Sequence, residues 1–236
     1  MTVAEVQTRT LQRLDESASA PVRYDTSEVL AAINEGHRFF ALLTLCLEVT
    51  GAAFVLTAGT ATYHVLATYT NWLVPLRLRV GGAGGAKLEP GRLAEFDARN
   101  PSWQAEAGTP QRYAHLGFDF LAIHPRPAGS GVSLDLAYAR SPVVLTSAST
   151  PEIPAEDHPA LIDYAIPRLR AKEGGAEFSA ALAHFDRFLD AAAKRADYVR
   201  ARNRAQGYDR GPFEVRGFDR SALVNGMVKR ARKSNG

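Results

Sequence analysis

The hydrophobic period of this chain changes twice, and that limits the folds open to it. Val29, Leu30, Ile33, His37, Phe40, Ala41, Thr44, Leu45 and Glu48 recur at helical spacing. They predict a helix of about two dozen residues, capped by Asp25 or Thr26 with Glu28 at the offset to reach back. Its second half, from Phe39 to Leu47, is apolar almost all round, which marks a helix buried between layers. After Gly51 the pattern turns to β. Residues 52–80 are rich in Val, Thr, Tyr and Ala, and Leu76, Leu78 and Val80 alternate with Arg77 and Arg79. Beyond Pro154 the helical period returns. Helices, a β-rich insertion and helices again predict an α+β protein, with one helical layer built from both chain ends. The expected division is a helical domain of residues 1–50 and 151–206, a β-rich insertion domain of 51–150, and a C-terminal tail of 207–236.

Finer signals fill this frame. Val3, Val6, Thr10, Leu11 and Leu14 place a short amphipathic helix in residues 2–16. Ala58-Gly59-Thr60 reads as a hairpin tip, and residues 81–85 as a glycine loop. Residues 88–100 read as a short helix that stops before Pro101. Strands are expected at 112–115, 118–124 and 132–138, followed by a Pro-rich linker to Pro154. The first late helix should run from there to about Lys172 with a kink at Pro167. The second should run from about Ala176 to Gln206, with a stripe of Phe178, Leu182, Phe185, Phe188, Leu189, Ala192 and Ala196.

At 236 residues the chain suffices for one large domain or two small ones. No apolar run reaches the roughly 18–20 residues of a membrane-spanning helix. The N-terminus lacks a basic stretch followed by an apolar core, so no secretion signal is expected. The single Cys46 sits in an apolar segment and reads as a small buried hydrophobe. Charge is distributed unevenly. Residues 194–236 hold 12 Lys/Arg against 4 Asp/Glu, and the rest of the chain holds 16 against 21. A basic end on an acidic body points to a polyanion or an acidic partner surface.

The motifs of catalysis are missing from the sequence. The run GGAGGAK at 81–87 lacks the P-loop spacing, and Leu88 stands where a hydroxyl should bind magnesium. His37, His64, His115, His124, His158 and His184 show no metal-ligand spacing. There is no G-x-S-x-G elbow, and Glu156-Asp157 are accounted for by a helix start. The expectation is therefore no enzyme, no cofactor and no metal. The basic end remains, with Arg195, Arg200, Arg202, Arg204, Arg210, Arg216 and Arg220 interleaved with Tyr198, Tyr208, Phe213 and Phe218. Such a mixture can follow a phosphate backbone and stack bases, or anchor on an acidic protein surface.

A series of segments carries a resemblance. Ile33-Asn34-Glu35-Gly36-His37-Arg38-Phe39 lies in the first long helix. Ser102-Trp103 is followed by Gly108-Thr109-Pro110-Gln111-Arg112-Tyr113. The run from Ile153 to Ala165 has an Ile-Pro-x-x-x-x-Pro-Ala-Leu-x-x-Tyr-Ala pattern. In this order the segments resemble the head–tail connector, or adaptor, proteins of tailed bacteriophages, over about residues 25–190. Residues 1–20 and 207–236 lie outside the resemblance. It implies a structural virion protein of the neck, assembled in the host cytoplasm. It also implies a homo-oligomeric, dodecameric ring between portal protein and tail or nozzle proteins, with packaged DNA passing through its channel and no membrane partner. On this reading Tyr208, Arg210, Phe213, Arg216, Phe218 and Arg220 dock on the portal, and Arg200, Arg202 and Arg204 face the channel or DNA. The alternative, resting on charge alone, is a soluble nucleic-acid-associated binding protein that uses the basic C-terminal region.

Overall fold

The computed structural model describes residues 1–17, 19, 21–82, 84–117 and 119–211. Among these the helices are α1 (Val3–Arg13), α2 (Thr26–Thr44), α3 (Leu93–Arg99), α4 (His158–Arg170) and α5 (Gly175–Ala205). The strands are β1 (Glu48–Leu56), β2 (Thr62–His64), β3 (Trp72–Val80), β4 (Ala86–Lys87), β5 (Glu89–Gly91), β6 (Ala107–Gly108), β7 (Arg112–Leu116), β8 (Phe120–His124), β9 (Arg126–Pro127) and β10 (Val132–Arg140). The fold is α+β. Its contacts divide the described residues into two compact units, 1–46 with 142–199 and 47–141 with 200–211. The borders thus fall at 46/47, 141/142 and 199/200. Residues 207–211, grouped with the tail in the sequence, belong to the β-rich unit.

In the helical unit, α1 opens with a reciprocal cap. The Thr2 amide donates to Glu5 Oε2 at 2.9 Å and the Glu5 amide to Thr2 Oγ1 at 3.2 Å. Asp25 caps α2 by accepting from the Ser27 amide at 2.7 Å. Glu28 does not reach back to complete a box; it pairs with Lys172 on the segment after α4. α2 is also shorter than its periodicity predicts. Leu45 takes a left-handed conformation (φ 49°), its amide bonds Ala41 O at 2.8 Å, and β1 starts three residues later. Leu45 is buried, and that packing holds a conformation that L-residues otherwise avoid. α1, α2, α4 and α5 share one core that includes Val6, Leu11, Ile33, Phe40, Leu161, Phe185 and Phe188. The Phe188 ring sits among Phe39, Phe40, Tyr164 and Phe185, with centroids 5.0–6.0 Å away. Pro167 is buried inside α4, which continues to Arg170.

Polar residues of α2 hold the connection that follows the β-rich unit. Asn34 Oδ1 accepts from the Leu145 amide at 2.7 Å, and Asn34 Nδ2 donates to Leu145 O at 3.0 Å. His37, fully buried, accepts from the Glu152 amide through Nε2 at 3.2 Å. The Asn34–His37 stretch singled out in the sequence is thus a clamp on a segment without regular structure.

The β-rich unit is built on two four-stranded sheets, ordered β1-β10-β3-β4 and β2-β8-β7-β5, with a short parallel pair of β6 and β9. β10 is the centre of the first sheet, pairing Leu136 with both Ala52 and Leu78. Both sheets contribute to one core, in which Phe54, Leu78, Leu134 and Leu136 meet Tyr63, Tyr113, Leu121 and Ile123. Two sequence expectations are corrected here. Residues 57–60 do turn, with the Thr60 amide on Thr57 O at 3.2 Å, but they do not join a hairpin. β1 pairs with β10 and β2 with β8, so the turn carries the chain from one sheet to the other. The helix expected at 88–100 spans only Leu93–Arg99, because its front half is extended. Leu88 donates to Leu78 O, Glu89 donates to Gln111 O, and Pro90, which has no amide to give a helix, lies in β5.

Candidate functional site

The basic end starts within the last turns of α5, and that helix stops at a glycine cap. Gly207 adopts φ 66°. The Tyr208 amide returns to Asn203 O at 2.9 Å and the Gly207 amide to Arg204 O at 3.1 Å, the two bonds of a Schellman motif. The chain then turns onto the first sheet. The Asp209 amide donates to Leu76 O at 2.7 Å, and buried Asn203 donates through Nδ2 to Arg210 O at 3.1 Å.

Two carboxylates organise the side chains. Asp209, only 6% exposed, pairs with Lys87 Nζ at 2.6 Å and accepts from the Tyr113 hydroxyl at 3.2 Å. The same Lys87 ammonium donates to Gly207 O at 2.8 Å. Glu48, at the start of β1 and 11% exposed, pairs with Arg202 Nη2 at 2.8 Å and accepts from the Tyr208 hydroxyl. The Arg77 guanidinium lies over the Tyr208 ring, 5.3 Å from its centroid, and also faces Asp135 at 3.7 Å. Burial, and then the bond to Glu48, push the Tyr208 phenol up to about 12. Tyr113 is shifted upward by burial and by the Asp209 charge. His115 on β7 is shifted downward, by burial first and then by the Arg210 cation.

The structure therefore separates the residues that the sequence grouped. Tyr208 and Arg202 are brought together on Glu48 and face inward. Arg204 and Arg210 are exposed, and Arg200 is half-buried. Phe213, Arg216, Phe218 and Arg220 lie outside the described residues. Glu48, Lys87, Tyr113 and Asp209 were not anticipated as site residues. Gly207, placed just after a periodic segment, was the one local signal for the cap that starts the arrangement. Lys87, considered above only as a failed phosphate ligand, is the cation that holds Asp209.

No group of His, Cys, Asp and Glu able to hold a metal ion occurs among the described residues, and no described helix is long and apolar enough to cross a membrane. A family model described as SU10 adaptor protein matches residues 1–216. The chain belongs to this family of phage head–tail adaptors, which is a structural family and not a family of enzymes. Membership makes it a virion component that meets portal and tail proteins. The match includes residues 1–20, which the sequence resemblance had left out. No curated protein matches the chain.

Proposed function

We propose that this protein is the ring-forming adaptor between portal and tail, extending the DNA channel and giving the tail its docking surface. The observation that carries this reading is the family match over residues 1–216, which includes the whole of the 200–211 segment. A closed ring joins two different faces of each copy, so the protomer needs no internal symmetry, and none is seen in its sequence. In this reading the C-terminal segment docks on the portal through Arg210, Phe213, Arg216, Phe218 and Arg220, while Tyr208, placed with them from the sequence, is committed to Glu48. The segment's net positive charge supports an acidic portal surface as the counterpart. Arg200 and Arg204 face the channel. Arg202, placed with them from the sequence, is committed to Glu48 and acts on DNA only indirectly, by fixing its neighbours.

Composition of purified tailed particles tests the reading. Quantitative mass spectrometry of the particles should find this chain equimolar with the portal protein, and imaging should place it in the neck. Its absence from particles would discard the adaptor role.

A further inference from the structure

We infer that Lys87 and Asp209, together with Glu48, Arg202 and Tyr208, form a clasp that holds residues 207–211 on the first sheet, and that Lys87 keeps it shut. The backbone anchor is slight. The segment after α5 reaches β3 through the Asp209 amide on Leu76 O. The apolar anchor is slight too, because the Tyr208 ring is half-buried over a guanidinium rather than seated in a core. What holds the segment is charge in a place with little water. A carboxylate as buried as Asp209 is stable there only with a cation and donors to match it, and Lys87 and Tyr113 supply them. Lys87 does this while also binding Gly207 O, so one ammonium ties the helix cap and the strap behind it. Without Lys87, Asp209 gains most by returning to water, and it takes residues 207–211 along.

Lys87 is itself 42% exposed, on a two-residue strand at the edge of the sheet. It can therefore be altered without cutting into the core. The inference concerns the chain itself and holds whether or not residues 212–236 dock on a portal.

The test uses the full chain and three variants: Lys87→Gln, Lys87→Arg, and the charge swap Lys87→Asp with Asp209→Lys. Hydrogen exchange at the Asp209 amide and tryptic cutting after Arg204 and Arg210 are followed by mass spectrometry. Lys87→Gln should raise both rates by at least about tenfold, while amides of the β3–β10 ladder keep their wild-type protection. Lys87→Arg should restore most of the protection, and the charge swap, which rebuilds the ion pair but not the bond to Gly207 O, should restore part of it. Wild-type rates in Lys87→Gln would overturn the proposal. So would loss of protection throughout the ladder, since Lys87 would then hold the sheet and not the strap.

Discussion

Gly36 lies against the face of Tyr164: a Cβ on Gly36 would stand 2.8 Å from Tyr164 Cδ1 and 2.9 Å from Cγ. The ring has nowhere to go, since Phe39, Phe185 and Phe188 surround it at 5.0–6.1 Å between centroids. The glycine in the middle of α2 is therefore set by the approach of α4. Ordinarily Gly→Ala inside a helix gains about 1 kcal/mol. Here overpacking costs about 1–3 kcal/mol and prevails. Gly36→Ala should lower Tm by a few degrees, and calorimetry that shows a rise in Tm would refute the steric account.

Asn34 carries a different load in the same turn of helix. Its carboxamide meets both the amide and the carbonyl of Leu145 and also donates to Leu30 O at 3.1 Å. In Asn34→Ala the partly buried backbone groups of Leu145 lose their partners. The expected loss is about 2 kcal/mol, at the upper end for neutral hydrogen bonds because buried groups are left unmade. The denaturant midpoint should fall with the slope of the transition unchanged. A midpoint equal to wild type would mean that the 142–154 connection is held elsewhere.

Acid should weaken the helical unit partly through Glu173. Its carboxylate accepts from the Tyr24 hydroxyl and pairs with Arg170 at 2.7 Å, and these contacts, Tyr24 first, hold its pKa below the ordinary value. A depressed folded-state pKa gives stability that is complete above the unfolded value of about 4.3 and is lost as pH falls through the folded value. Asp25 and Glu106 are lowered as well, mainly by Ser27 and by His124, and act with the same sign. Asp157 opposes them, since burial raises its pKa despite the contact with Arg195. The stability gap between wild type and Glu173→Gln should be widest near neutral pH and shrink through the acid range. A gap that stays constant down to pH 3 would assign the effect to packing instead.

The helical half of this fold was readable because each helix buries a stripe of its own, visible in a short window. α5 was placed to within a residue by Phe178, Phe185, Phe188 and Leu189 and the glycine that follows. The turn at Gly59 was readable too, but which strands it joins depends on partners far along the chain, and β1 finds its neighbour in β10. The end of α2 was overestimated because Leu45 gives no sign of a left-handed conformation, which tertiary packing imposes. The clasp was hidden for the same reason. Lys87 and Gly207 are 120 residues apart, and each looks like an ordinary loop residue in its own surroundings. Tyr208 and Arg202 were selected for their chemistry, but that chemistry is directed inward, at Glu48.

That inward direction decides where the C-terminal segment should be cut. Residues 212–236 carry six Lys/Arg and two Asp/Glu, while the clasp ends before them. A chain ending at Gly211 keeps Asp209 on Lys87 and Tyr208 on Glu48, so its thermal transition should match that of the full protein. It should nonetheless fail to bind isolated portal rings, if docking lies in the removed cations and aromatics. A chain ending at Gln206 loses Tyr208 and Asp209 as well and leaves the buried Tyr113 hydroxyl without its acceptor. It should be less stable by about 2 kcal/mol. Comparing the two separates the roles of the segment. If the Gly211 form binds portal rings as the full chain does, docking belongs to the folded units. If the Gln206 form is as stable as the Gly211 form, residues 207–211 merely rest on the sheet.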